Sequence, residues 1–161
     1  MHTHSDTPCF VVCVRSCACV AWLCSASDSK AATHTFAAPG LYTVRISGRM
    51  SGFGFGQPNG GGRFTKGKDG NKLVDIVQWG CVNFGNRGGY FYCCRNLGRL
   101  SARDLPDLTG VTNMKGMFDG ASAFQSDLSQ WNVSSVTNMR YMFNGASAFQ
   151  SDLSQWNVSS V

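Results

Sequence analysis

The chain has 161 residues, enough for one core or for a small cap with a short repeat array, and too few for three independent domains. Only 14% of residues are charged and 19 are glycine, so the surface is polar, weakly charged and rich in turns. The net charge of +5 is uneven, with 12 Lys/Arg against 6 Asp/Glu before Val111 and 2 against 3 from there on, and no basic run has the density that nucleic-acid binding requires.

In chain order, residues 1–30 read as a signal-like or disordered N-terminus. Residues 9–24 (CFVVCVRSCACVAWLC) form an apolar run too short to span a bilayer and broken by Arg15 and Ser16. The run has the length of a signal-peptide core and is followed by the small residues Ser25, Ala26 and Ser27, although no Lys or Arg precedes it. It holds five of the eight cysteines; Cys81, Cys93 and Cys94 follow later. No Cys-x-x-Cys pair has a matching partner, so no metal site is expected, and the disulfide pairing stays open.

Residues 31–72 predict a small antiparallel β cap. Pro39-Gly40 suits the centre of a type II turn, and Tyr42, Val44 and Ile46 then alternate with polar residues as a half-buried strand does. Phe53 and Phe55 alternate with glycines in another short strand. From Gly62 to Lys68 the glycine and lysine spacing is that of a phosphate loop, but Asp69 stands where magnesium needs a hydroxyl. A nucleotide-binding or hydrolytic enzyme is the reading this would support. It lacks any partner: His34 has no nucleophile to serve, so no catalytic residue, cofactor or metal is assigned.

Residues 73–161 are repetitive. A 25-residue unit is written twice, at 111–135 and 136–160, with differences only at Lys115/Arg140, Gly116/Tyr141 and Asp119/Asn144. The apolar pairs Leu128-x-x-Trp131 and Leu153-x-x-Trp156 have worn counterparts in Ile76-x-x-Trp79 and Leu105-x-x-Leu108, at steps of 29, 23 and 25 residues. Periods of this length mark solenoids, whose units bury their apolar faces only by stacking. Val136, Met139, Met142 and Phe143 have helical spacing, while Leu153, Trp156 and Val158 suit a strand. The expected fold is therefore α/β: a short leucine-rich-repeat-like β/α solenoid behind the β cap. Its core would hold Met114, Phe118, Leu128 and Trp131, then Met139, Phe143, Leu153 and Trp156, with the two tryptophans stacked.

Alternation would turn Gln130, Asn132, Gln155 and Asn157 outward on a concave sheet, where amides could bind an extended peptide backbone or a glycan. Asn132-Val-Ser134 and Asn157-Val-Ser159 are also glycosylation sequons.

The string VTNMxxMFxGAxxFxxDLSxWNVSxV resembles the repeat of the BspA-like leucine-rich repeat surface proteins, and 39–48, 74–80, 91–97 and 101–114 resemble the segment before the repeats in that family. In that resemblance Cys94, Asn96 and Leu97 take a structural Cys-x-Asn-Leu position. The resemblance implies a secreted or cell-surface, non-enzymatic adhesion module. Its partners would be extracellular or cell-surface proteins or glycans, not nucleic acid, and no membrane attachment is evident. It would be monomeric or part of a longer array. The alternative is a structural N-terminal fragment of such an array, without binding activity of its own.

Overall fold

The computed structural model describes residues 10–16, 19–22, 32–35, 37–46, 50–51, 54–59, 64–67 and 69–161. Among these the strands all precede Phe84: β1 (Phe10–Ser16), β2 (Cys19–Trp22), β3 (Ala32–Thr35), β4 (Gly40–Ile46), β5 (Met50–Ser51), β6 (Gly56–Pro58), β7 (Phe64–Lys66), β8 (Leu73–Gln78) and β9 (Val82–Asn83). β1 lies antiparallel between β4 and β8, with Val12 opposite both Val44 and Ile76. Val12 and Val14, two residues apart on one face, are fully buried with Leu73 and Ile76. β2–β3 and β6–β7 are antiparallel pairs, and β5–β9 is a parallel one.

Two cap expectations need correction. Gly40 opens β4 opposite Ser16 without a positive φ, because the pairing holds it extended, so Pro39-Gly40 is not the centre of a type II turn. Phe55 is buried at a bend just before β6 instead of lying in a strand, and Phe53 lies outside the described residues. So do Gly62 and Lys68 of the phosphate-loop spacing, whose middle is β7.

The larger correction concerns the repeats. The α/β leucine-rich-type solenoid is not what forms: residues 84–161 contain no helix and no strand, only turns, coil and one parallel bridge between Asn113 and Asn138. The reason lies in the backbone. Gly116 (φ 59°) and Gly120 (φ 74°), with Tyr141 (φ 60°) and Gly145 (φ 69°) after them, are left-handed where a helix needs negative φ. Asn113 and Asn138 divert backbone N–H groups as well, their Oδ1 atoms accepting from Lys115 N and Arg140 N at 3.0 and 3.1 Å.

What replaces the helix is a succession of single turns, each closed by an N–H three residues on. In unit 111–135 these bonds run from Met117 N to Met114 O, Ala121 N to Phe118 O, Phe124 N to Ala121 O, Trp131 N to Leu128 O and, at the boundary, Val136 N to Val133 O, all at 2.9–3.1 Å. Each of these turns begins and ends on a buried apolar residue. A spacing of three, which imitates a helix face, here puts both ends of a turn into the core.

Successive units are joined by a backbone ladder. Gly89, Phe91 and Cys93 donate to Lys115, Met117 and Asp119 at 2.7–2.8 Å; Met114, Gly116, Phe118 and Gly120 donate to Asn138, Arg140, Met142 and Asn144 at 2.7–2.9 Å. The positive-φ positions follow this register, Gly89, Gly116 and Tyr141 in one column and Cys93, Gly120 and Gly145 in the other, at steps of 27 and 25 residues. β8 ties the sheet to the same ladder, with Val74 O and Ile76 O accepting from Gly98 N and Ala102 N.

Phenylalanines fill the interior. Phe91, Phe118 and Phe143 stack at 5.4 and 5.8 Å, and Phe124 stacks on Phe149 at 5.8 Å, close to flat in each case. Such pairs contribute about 0.5–1.5 kcal/mol beyond area burial. The tryptophans do not stack on each other: Trp131 meets Trp79 edge-on at 5.7 Å, and Trp156 packs beside Phe143 while its Nε1 donates to Leu128 O at 2.9 Å. Nor is Leu105 a core residue; it is 57% exposed. The turn Leu108–Val111 matches Val133–Val136, and Asp107 serves Thr109 N as Asn132 serves Ser134 N, so the true step there is 25 and Leu105 falls at the exposed Gln130 position. Ile76 of the other worn pair belongs to β8.

Candidate functional site

The sequence-predicted amides are all exposed, but they line no concave sheet, since no strand passes through them. Asn132 Oδ1 accepts from Ser134 N (3.2 Å) and Ser134 Oγ (2.7 Å), and Asn157 Oδ1 accepts from Ser159 N (3.2 Å). These asparagines hold turns. Gln130 and Gln155 sit on turns beside Ser129 and Ser154, at 3.5 and 3.4 Å. Of the predicted core residues, Met114, Phe118 and Leu128 are fully buried, Trp131 and Trp156 nearly so, and Met139, Phe143 and Leu153 are half-buried.

A different surface is built for contact. A cleft of about 300 Å³ opens between Phe64 of β7 and the repeats, lined by Tyr92, Lys115, Gly116, Asp119, Tyr141 and Asn144. The Phe64 ring approaches glycines: a Cβ on Gly89 would come within 2.6 Å of it, one on Gly88 to 3.0 Å and one on Gly116 to 3.2 Å. Glycine at these positions admits the ring and suits the positive φ. Tyr92 lies 5.7 Å from Phe64, tilted by 46°.

Gly116 and Tyr141 occupy the same backbone position in consecutive units. Where unit 111–135 lets Phe64 approach its glycine, unit 136–160 supplies its own ring, 48% exposed. Arg140 lies over that ring at 4.9 Å and donates to the Tyr141 hydroxyl at 3.1 Å, which orients it. Across the cleft, Asn144 Nδ2 donates to Asp119 Oδ1 at 2.9 Å. The cleft thus offers aromatic rings, an ammonium, and a carboxylate coupled to an amide.

Every position at which the two repeats differ is represented here. Lys115, Gly116, Asp119, Tyr141 and Asn144 line the cleft, and the sixth residue, Arg140, packs on Tyr141. The differences between the two repeats are the sequence signal that marks these residues; Phe64 and Tyr92 carry none.

Among the described residues, no group of three or more His, Cys, Asp or Glu could hold a metal ion, and no helix is long and apolar enough to cross a membrane. Cys81 is disulfide-bonded, whereas Cys93 and Cys94 are free, so neither is its partner. Burial, with the neighbouring Cys93, pushes the Cys94 thiol well above its usual range and keeps it protonated, the opposite of a nucleophile. Tyr90 is pushed up to about 12 by burial, its Oη 2.7 Å from Gly85 O and 2.9 Å from Asn113 O.

No curated protein and no solved structure matches the chain. A family model does, over residues 71–161, more than half of the sequence and all of the repeats. The chain therefore belongs to the family described as Mycoplasma protein of unknown function, DUF285.

Proposed function

We propose that the chain is a non-enzymatic binding module of a surface or extracellular protein, and that its ligand seats in the cleft between Phe64 and Tyr141. One observation carries this reading: in two otherwise identical units, every difference falls on the cleft or on the arginine packed against its wall. Packing constrains the frame, because the turns from Met114, Phe118, Ala121, Leu128 and Val133 bury both their ends. The side chains of Lys115, Asp119 and their counterparts in the next unit lie outside the fully buried core, where a repeat protein can alter what it binds while keeping its fold. The likeness of the repeat to the BspA-like surface proteins supports the extracellular placement, and extracellular or cell-surface proteins or glycans are the expected partners.

The test uses the full chain against a panel of extracellular proteins and glycans, beside two variants. One changes Asp119 to Ala and Tyr141 to Gly in the cleft; the other changes Gln130, Asn132, Gln155 and Asn157 to Ser. Binding lost by the first and kept by the second supports the cleft. The reverse pattern, or equal binding by all three proteins, overturns it.

A further inference from the structure

We infer that the cleft takes a pyranose sugar, with an apolar ring face against an aromatic wall and ring hydroxyls on the Asp119–Asn144 pair; this rests on the reading of the cleft as the binding site. Three features select the class. First, on the unit 111–135 side of the cleft the backbone donors are already used: Gly116, Phe118 and Gly120 donate to Arg140, Met142 and Asn144, so those groups cannot receive an extended peptide as an added strand. On that side recognition falls to side chains.

Second, those side chains match a sugar's two-sided chemistry. A pyranose presents C–H bonds on its faces and adjacent hydroxyls at its rim, each both donor and acceptor. The half-exposed Tyr141 ring, steadied by Arg140, offers a flat apolar surface, and Phe64 with Tyr92 offers a second. A carboxylate has about four acceptor sites, of which Asn144 Nδ2 uses one, and the amide keeps its own oxygen and second N–H. Together they supply acceptors and a donor for neighbouring hydroxyls. Charge-assisted bonds to a carboxylate are roughly twice as strong as neutral ones.

Third, size fits. A cleft of about 300 Å³ is at the lower end of ligand pockets, suited to one or two sugar rings.

The experiment measures binding of the full chain to oligosaccharides released from mucin and, separately, to mucin stripped of its sugars, by saturation-transfer NMR and calorimetry. Tyr141→Gly is the central variant, because it removes the ring at a position where φ 60° favours glycine and should leave the fold intact. Asp119→Ala is the second. The expected result is binding of released oligosaccharides, weakened at least tenfold by each variant, with saturation on ring C–H protons. Three results overturn the sugar assignment: binding to stripped mucin alone, no binding to either probe, or oligosaccharide binding unaffected by both variants. Cleft-dependent binding of stripped mucin would leave the site standing and remove only its ligand class.

Discussion

Units 111–135 and 136–160 differ at three of 25 positions, yet they do not have the same structure to defend. Met114, Phe118, Phe124 and Leu128 are fully buried, with a unit packed on either side; their counterparts Met139, Phe143, Phe149 and Leu153 are only half-buried. The turns are the same, closed by bonds of 2.9–3.3 Å in one unit and 3.0–3.2 Å in the other. The difference teaches that the unit encodes its own bends, while its neighbours decide how much each side chain is worth.

The sharpest way to break this comparison is one substitution made twice. Phe118→Ala should cost about 4 kcal/mol, in the range for a fully buried phenylalanine, and Phe143→Ala roughly half as much, because water already reaches its ring. Urea unfolding of both variants reads the gap. Equal losses would show that the two units are energetically alike.

Exchanging the cleft residues should have a smaller and asymmetric effect. Gly116→Tyr puts a side chain at φ 59° and a Cβ at 3.2 Å from the Phe64 ring, and should destabilise by about 2 kcal/mol. Tyr141→Gly should change stability by less than about 1 kcal/mol, relief of the left-handed backbone offsetting the added freedom of the unfolded chain. Thermal unfolding of the pair checks the order; a Tyr141→Gly loss larger than that of Gly116→Tyr would contradict it.

Trp156→Phe isolates the link that replaces tryptophan stacking. Losing the Nε1 bond to Leu128 O should cost about 1 kcal/mol beyond the lost ring area. If a double variant with Leu128→Ala, which leaves that carbonyl in place, shows the same increment, the bond is the cause.

The smallest effect is in acid. Asp107, Asp127 and Asp152 are each held below the usual carboxylate range, first by the backbone N–H of Thr109, Ser129 and Ser154 and then by the hydroxyls of those residues. A carboxyl lowered in the folded state stabilises fully above its unfolded value near 3.8, and the contribution is lost as pH falls through the folded value. The unfolding midpoint should therefore be insensitive to these groups from about pH 5 to 8 and fall below about pH 4. Changing all three to Asn, which keeps an acceptor for each turn, should reduce that fall.

Much of this was legible in particular residues. Met114 with Phe118, four apart, and Leu128 with Trp131, three apart, stand out as apolar pairs, and all four residues are buried. Their conformation was not legible, since a step of three serves a helix face and a chain of turns equally well. The pair Leu105 and Leu108 misled because apolar identity suggested one register, while the turn at Asp107, a polar signal, set another. The outward amides were misplaced for the same reason: Asn132 and Asn157 bond to their own turns.

By itself the sequence determined the period of the repeat and the three positions where the units diverge, because these follow from residue identity and spacing alone. Only the tertiary structure decided that turns replace helix and strand, that the second unit is half-buried, and that Phe64 approaches Gly116 and lines one cleft with Tyr141. Those outcomes depend on backbone bonds and ring contacts between residues about 25 to 80 positions apart, whose closing entropy and geometry no local pattern contains.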